Sequence, residues 1–284
     1  MTRSIVFIFL SVLFPLFSFA QRKTKLNTNG EGTMFLSAGI NRSGYSTTNV
    51  DLVGSDYSVV LGNVALSDNA EGDPLLAALN SSSKQWNIQI GYFVTNKWAI
   101  IGGYDRYNTF FKTDQEVSLS GTFAPGSHSV YSGTYNGQNI SLNQNEFNLE
   151  QVQGMNYFNI GLLRMDQWYK SRKANFAFNT ILAAKAGPIF SMVNYTLDNS
   201  TRQQVSSLSG FGFSGILGLR VDFFQHVYLE TNIVGGYLGQ GSINLVDNGS
   251  ETASQKVAFI SPQINLGFSF FARPTNGCGT CPNW

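Results

Sequence analysis

Apolar and polar residues alternate one by one over long stretches of this chain. In residues 257–271, Ile264 and Leu266 fall on one face of an extended chain, and Asn265 and Gly267 fall on the other. Seven further segments show the same period of two: 34–43, 86–94, 97–111, 154–166, 174–190, 210–223 and 226–240. Each segment reaches the roughly 9–11 residues that a tilted membrane-crossing strand requires. The pattern therefore predicts an all-β protein with eight antiparallel strands.

The connections between these predicted strands alternate between short and long. Short connections lie at residues 95–97, near 169–173 and at 224–226. The long connections lie at about 45–84, 112–153, 191–209 and 241–256. This alternation is typical of an up-and-down transmembrane β-barrel, whose short turns are periplasmic and whose long loops are extracellular.

Two long connections contain further strand-like segments, which leaves ten crossing strands as an alternative to eight. Residues 56–66 and 117–123 are apolar enough to form strands, and we expect them to project above the membrane. Asn136-Gly137, between Tyr135 and Gln138, is a pair suited to a two-residue hairpin turn. We therefore predict a hairpin reversal at these residues.

Composition favours a membrane barrel over a soluble one. Charged residues make up 12% of the 284 residues and aromatic residues 14%, whereas soluble domains carry about 25% charged residues. The mean hydropathy is −0.06, as expected when one strand face meets lipid and the other a polar lumen. A soluble eight-stranded barrel would turn the apolar faces inward, and eight rows of large side chains would overfill it. The formal net charge of +1 gives no reason to expect nucleic acid as a partner.

The first twenty residues predict export. Arg3 precedes an apolar run over residues 5–17, and Ser18 and Ala20 place small residues before a cleavage site ahead of Gln21. These are the parts of a secretory signal peptide. No later stretch has 18 consecutive apolar residues, so a helical membrane protein is excluded and a closed barrel remains. We predict a signal peptide over 1–20, a flexible lead-in over 21–31, a barrel over 32–272 and a periplasmic tail over 273–284, in the cell outer membrane.

Five charged residues fall on the faces predicted to line the lumen: Asp105, Lys185, Arg220, Asp222 and Glu230. A charge buried there without a partner would cost several kcal/mol. We expect a structural ion-pair network that plugs the narrow interior, with Glu230 pairing to Arg220 on the adjacent strand. A gate or conduction path is the alternative.

Candidate chemistry outside the lumen is sparse. His128, flanked by Ser127 and Ser129, is the one histidine in a long loop, and adjacent strand residues point apart, which suits general-base catalysis poorly. Cys278 and Cys281 form a CxxC in the predicted tail, where an oxidising compartment favours a local disulfide. We expect no catalytic, cofactor or metal site.

Aromatic residues predicted for the interfacial girdle are Trp86, Tyr92, Trp98, Trp168, Tyr169, Phe223 and Phe224.

The chain resembles the small, porin-like, eight-stranded outer-membrane β-barrel proteins of Gram-negative bacteria. The resemblance lies in the signal end Phe19-Ala20-Gln21, in the closing strand 264–271 and in residues 155–162. Such barrels often end on an aromatic residue, whereas here a tail to Trp284 follows Phe271.

The resemblance implies outer-membrane lipid as the surroundings, but its members range from anchors and adhesins to pores and a few enzymes. We predict a structural or interaction role through the long loops 45–84 and 112–153, with a protein or glycan partner. A narrow pore for small solutes is the first alternative. An outer-membrane enzyme is the second.

Overall fold

The structure, a computed structural model, describes residues 30–68, 85–112, 114–126, 130–142, 147–151, 154–171, 175–197 and 200–271. The predicted signal peptide, nearly all of the lead-in, the tail with its two cysteines, and His128 lie outside these ranges. Across the described ranges, no helix has the length and apolar character needed to cross a membrane.

Eight strands form a ring: β1 (Thr33–Asn41), β6 (Trp86–Phe93), β7 (Trp98–Tyr107), β12 (Met155–Lys170), β13 (Phe176–Leu197), β14 (Ser200–Phe223), β15 (Val227–Asn244) and β16 (Thr252–Phe271). Each strand pairs antiparallel with both neighbours, and β16 returns to β1, so the ring closes. The wall has uneven height, because β14 has 24 residues and β6 has eight. These eight strands correspond to the eight segments that the alternation predicts.

Eight further strands of the described residues lie outside the ring: β2 (Gly44–Tyr45), β3 (Thr48–Val53), β4 (Tyr57–Val64), β5 (Leu66–Ser67), β8 (Phe110–Phe111), β9 (Glu116–Phe123), β10 (Gly133–Ser141) and β11 (Phe147–Glu150). Seven of them extend the ends of β13 and β16 that lie opposite the short turns, in the orders β13-β11-β8-β5 and β16-β3-β4-β9-β10, and β2 pairs with β16 at Phe259 and Ile260. We call these strands, with the ends of β13–β16 that continue among them, the upper part. Segments 56–66 and 117–123 thus form β4 and β9 outside the ring, and the number of ring strands is eight.

The Asn136-Gly137 pair does not form the predicted hairpin turn. It lies inside β10, where the pairing with β9 shifts between Asn136 and Gln138 and Gly137 adopts a φ of +73°. Glycine tolerates positive φ in a β-bulge as well as in a turn. The Gly137 N–H donates to Ser120 Oγ at 3.0 Å, which ties the bulge to the neighbouring strand.

Apolar side chains cover the outside of the ring. On β14, Phe213 and Leu217 are 60% and 65% exposed, whereas Arg220 on the opposite face is fully buried. Further exposed apolar side chains from the other ring strands include Leu36, Ile90, Ile100, Ile160, Leu182, Ile233 and Ile264. A belt of this kind outside a closed barrel is the pattern of a membrane-spanning β-barrel.

Aromatic rings border this apolar belt. Trp86, Tyr104, Phe158 and Phe190 form a row, with successive ring centroids 4.7, 5.0 and 5.6 Å apart. We call the end of the ring that carries the short turns the turn end. There the exposed aromatic residues are Trp98, Trp168, Tyr169, Phe223 and Phe224. Phe158 and Trp168 are ten residues apart on β12, which corresponds to about 25 Å for a strand rising about 3.3 Å per residue and tilted about 40°. That height matches the apolar band of outer-membrane barrels.

The interior contains two separate clusters of buried apolar residues. One lies within the membrane-spanning ring and includes Phe35, Tyr107, Tyr157 and Tyr228. The other lies in the upper part and includes side chains from β3, β4, β9, β11 and β13 to β16, among them Leu61. Within the described ranges, the long connections therefore contain strands that pack around a core of their own, including β4 and β9 at the segments that the sequence predicts to project above the membrane.

Candidate functional site

A charged cluster centred on Arg220 occupies the turn end of the lumen. The guanidinium donates hydrogen bonds to Asp222 Oδ1 at 2.8 Å and to Ser269 Oγ at 2.7 Å. Its NH1 group lies 3.6 Å from Glu230 Oε1, and the strand register places Arg220 opposite Glu230. Asn179 donates to the other oxygen of Asp222. One buried cation therefore compensates two buried carboxylates.

Aromatic rings hold the Arg220 guanidinium in place. Its central carbon lies 3.4 Å from the ring centroid of Tyr228 and 5.6 Å from that of Phe35, within the range of cation–π attraction. Both rings occupy the space beside wall positions that lack a side chain. A Cβ on Gly267 would overlap the Tyr228 ring, and one on Gly91 would overlap the Phe35 ring.

A second charged cluster lies nearer the upper part. Lys185 Nζ is 2.6 Å from Asp105 Oδ2, and both side chains are 3% exposed. Asn159 donates to the same carboxylate oxygen at 2.8 Å, and Gln263 Nε2 is 3.4 Å from the other. A buried ion pair repays its desolvation only when further hydrogen bonds satisfy the remaining lone pairs. The two amides supply those bonds, so this cluster crosses the lumen from β7 to β12, β13 and β16.

Aromatic side chains fill the lumen beside this ion pair. The Tyr107 ring centroid lies 4.6 Å from that of Phe259 and 6.5 Å from that of Tyr157. The Tyr157 hydroxyl donates to the Gly212 carbonyl at 3.4 Å. All three rings are largely or fully buried, so they narrow a cross-section that eight strands already make small.

A layer of amides and hydroxyls separates the charged clusters from the upper core. Gln240 Oε1 accepts from Gln151 Nε2 at 2.9 Å and from Gln255 Nε2 at 2.6 Å. Gln240 Nε2 donates to Ser191 and to Ser209, whose hydroxyl oxygens are 2.8 Å apart. All five residues are buried. The layer joins β13, β14, β15 and β16 to the residue that follows β11.

Tyr45 connects the ring to the upper part. Its side chain packs against both apolar clusters, and its hydroxyl donates to the Asn108 carbonyl at 2.8 Å. Burial raises the pKa of Tyr45 well above the usual value for a phenol. The hydroxyl therefore keeps its proton and remains a donor at physiological pH.

All five charged residues singled out from the sequence lie in the interior: Asp105, Lys185, Arg220, Asp222 and Glu230. The structure divides them into two clusters, with Arg220, Asp222 and Glu230 in one and Asp105 and Lys185 in the other. Their neutral partners Asn159, Asn179, Gln263 and Ser269 were not singled out from the sequence. Alternation places these residues on inward faces, but it does not give the cross-lumen distances that select partners.

The described residues hold no group of three or more His, Cys, Asp or Glu side chains placed to bind a metal ion. The interior groups form ion pairs and amide hydrogen bonds that hold strands together. This arrangement can fix the barrel and fill its lumen. The closed ring, the apolar belt and the polar interior together define a transmembrane β-barrel.

Comparison with known proteins finds similarity in architecture and little in sequence. No protein-family model matches the chain, and no curated protein matches it. The outer membrane protein OprG of Pseudomonas aeruginosa is 12% identical, with a TM-score of 0.43, and the match covers 86% of this chain and 98% of OprG. The N-terminal β-barrel domain of OprF from the same bacterium is 10% identical, with a TM-score of 0.35 and coverage of 85% and 99%. Neisserial surface protein A is 11% identical, with a TM-score of 0.34 and coverage of 85% and 98%.

Proposed function

We propose that this protein is an outer-membrane barrel with a closed lumen and a structural or interaction role carried by its upper part, outside the cell. The observation that carries the proposal is the filling of the interior at successive levels. From the turn end upward these levels are the Arg220 cluster, the Lys185–Asp105 cluster with its aromatic rings, the Gln240 layer and the upper core. The proposal includes no catalytic role.

Filling of the lumen supports a role other than solute transport. Arg220, Tyr107, Tyr157 and Tyr228 are among the largest fully buried side chains of the described chain, and all point into the ring. An eight-stranded barrel is just wide enough for its own side chains. A solute would therefore have to displace several hydrogen-bonded groups at more than one level.

The architecture of the upper part supports a role in binding other molecules. Loops of about 40 residues are uncommon in compact proteins unless they are functional or disordered. Here the described residues of the long connections form strands around a buried core, and polar side chains such as Asn49, Ser58, Ser120 and Thr134 line the outer faces. A rigid polar surface held above the membrane is suited to a protein or glycan partner.

Single-channel recording tests the closed lumen. The purified protein, refolded and inserted in a planar lipid bilayer, is expected to show no stepwise conductance in 1 M KCl. A matched variant, Lys185→Ala with Asp105→Ala, lacks one of the clusters that cross the lumen. Its heat-dependent gel mobility serves as the control that the barrel is folded and able to insert. Steady conductance steps from the unmodified protein would contradict the proposal.

A narrow pore is the second candidate, and one contact favours it. Arg220 NH1 and Glu230 Oε1 are 3.6 Å apart, and neither atom has a hydrogen-bond partner among the described residues. A loose contact of this kind can open more easily than the Lys185–Asp105 pair. If the lumen conducts, Glu230→Gln is expected to change the conductance more than Glu251→Gln does, since Glu251 lies in the upper part.

A further inference from the structure

A pocket lined by polar and charged residues opens on the outer wall of the upper part. Its volume is about 410 Å³, within the range of small-molecule sites. The lining residues are Thr47, Thr48, Asn49, Asp51, Asn63, Ser254, Gln255 and Lys256. They come from β3, β4 and β16 and the residue before β3, and none of them is apolar. Because most of the exposed lining is polar, the pocket suits a ligand rich in hydrogen-bonding groups better than an acyl chain or an aromatic ligand.

A β-bulge in β4 creates this pocket. Val50 pairs with Leu61, but Thr48 pairs with Val64, so β4 has one residue more than β3 over this stretch. Asn63, in the bulge, has a φ of +61°, and its N–H donates to Asn49 Oδ1 at 3.2 Å. Bulges are frequent beside functional sites because they redirect side chains. Here the bulge moves the Asn63 backbone away from β3 and opens the depression.

Hydrogen bonds hold the floor of the pocket. The Thr48 hydroxyl donates to the Lys256 carbonyl at 2.8 Å, and the Ser254 hydroxyl donates to Asp51 Oδ2 at 3.1 Å. The pairing of β16 with β3 sets Ser254 opposite Asp51. The pocket therefore exists before any ligand arrives, which lowers the entropic cost of binding.

The charges of the pocket select the class of ligand. Asp51 and Lys256 are both exposed, and among the described residues neither forms an ion pair within 4 Å. The carboxylate accepts hydrogen bonds, the ammonium donates them, and the amides of Asn49 and Asn63 do both. A simple anion would be repelled by Asp51, and a simple cation by Lys256. A ligand with several neutral hydroxyl groups satisfies all four side chains.

The pocket also lies close to the membrane surface. On the same face of β16, Ile260 is 57% exposed in the apolar belt and Lys256 is four residues further up. At about 3.3 Å per residue and a tilt of about 40°, this places the pocket roughly 10 Å above the exposed Ile260. Headgroups occupy the first several ångströms beyond the hydrocarbon core.

We propose that this pocket binds a saccharide through its hydroxyl groups, an inference that rests on the proposed function because the upper part must face outward. The saccharide is either the headgroup of a glycolipid in the surrounding leaflet or a free glycan. Asp51 and Lys256 contact the hydroxyl groups from opposite sides, and Asn63 contacts them from the bulge.

Binding of two probes to the full-length protein in detergent tests this assignment. The probes are rough lipopolysaccharide and the lipid-free oligosaccharide released from it by mild acid, and isothermal titration measures each Kd. Asp51→Asn and Lys256→Gln are each expected to weaken binding at least tenfold. The matched controls Asp56→Asn and Lys112→Gln lie outside the pocket and are expected to bind like the unmodified chain. Heat-dependent gel mobility confirms that every variant is folded.

The outcomes distinguish a free glycan from a leaflet glycolipid as the ligand, and they distinguish failure of the saccharide site from failure of the proposed function. Binding of the oligosaccharide supports a free glycan as ligand, and binding of the intact lipopolysaccharide alone supports a leaflet glycolipid. No binding of either probe, or equal binding by the pocket variants, overturns the saccharide site.

In parallel, Thr47→Cys in intact cells is treated with a membrane-impermeant maleimide, with the unmodified chain as background. Failure of this labelling contradicts the proposed function itself, whereas labelling without saccharide binding contradicts the pocket assignment alone.

Discussion

The membrane-spanning ring and the upper part share strands β13 to β16, but their outer faces have opposite polarity. On β16, the outward residues change from Ser254 and Lys256 in the upper part to Ile260 and Ile264 in the ring. On β13, the inward residues Val193, Tyr195 and Leu197 belong to the upper core, whereas the inward row within the ring places Asn179 and Lys185 among Ile181 and Ile189. The alternation keeps its phase throughout. What changes is the solvent outside the wall, from water to lipid, and the side chains on both faces change with it.

A period of two identifies which residues share a face, but it does not identify which face is the inside. The inside is apolar in the upper part, where water lies outside, whereas in the ring, where lipid lies outside, buried ion pairs and amides lie beside an apolar cluster. Four substitutions test this contrast between the ring and the upper part.

Removal of the Arg220 charge is expected to have the largest effect. Arg220→Met leaves Asp222 and Glu230 buried without their cation, and breaking a buried pair in this way costs about 3–5 kcal/mol. Urea unfolding in lipid vesicles, followed by tryptophan fluorescence, measures the loss in the free energy of unfolding. Adding Asp222→Asn and Glu230→Gln to this variant is expected to recover most of the loss. A loss below about 1 kcal/mol in the single variant would contradict the assigned role of the cluster.

Truncation in the upper core comes next. Leu119 is fully buried and pairs with Leu61 across β9 and β4, and Leu→Ala at such a site costs about 2–5 kcal/mol. Leu119→Ala is expected to make the upper part sensitive to added protease while the ring keeps its heat-dependent gel mobility. Val60→Ala, on the outer face of the same sheet, serves as the control and should leave protease resistance unchanged. Loss of ring mobility would show that the two parts do not fold separately.

A charge on the outer wall should be tolerated above the membrane and rejected within it. Leu217→Arg places a cation in the belt and is expected to cost about 2–4 kcal/mol in vesicles. Ser58→Arg, on the outer face of β4, is expected to cost less than about 0.5 kcal/mol. Equal costs at the two positions would contradict the polarity inversion.

A methyl group on the inner wall is expected to have the smallest effect of the four. Gly267→Ala pushes against the Tyr228 ring, which must then move away from Arg220, and overpacking of this kind costs about 1–3 kcal/mol. Gly235→Ala, on the outward face with only a distant backbone neighbour, is the control and should be close to neutral. If the two variants are equally stable, the assigned packing of Tyr228 on Gly267 is wrong.

The ring could be predicted from the sequence because lipid leaves few alternatives. Leu217 and Leu219 alternate with Gly218 and Arg220 so regularly that strand limits and facing follow directly. The strand pairing of the upper part could not be predicted from the sequence to the same extent. Its strands β3, β5, β8 and β11 are six residues or shorter, and a short alternating run does not show which distant strand it pairs with.

The residues of the candidate site also differ in how far the sequence predicts them. Charged residues such as Lys185 stand out on a polar inward face, whereas amides such as Asn159 and Gln240 resemble the many other amides of this chain. Their role depends on cross-lumen distances that only the register and the curvature of the barrel determine. Asn136-Gly137 shows the same limit, since one local preference for positive φ serves either a turn or a bulge.

Accessibility along the outward row of β16 tests the polarity inversion most directly. Single cysteines at Ser254, Lys256, Ile260, Ile264 and Leu266, with Cys278 and Cys281 replaced by serine, carry nitroxide labels in proteoliposomes. We predict that a water-soluble nickel chelate relaxes the labels at 254 and 256, that oxygen relaxes those at 260, 264 and 266, and that the change falls between 256 and 260. Equal relaxation by the nickel chelate along the whole row would contradict the account.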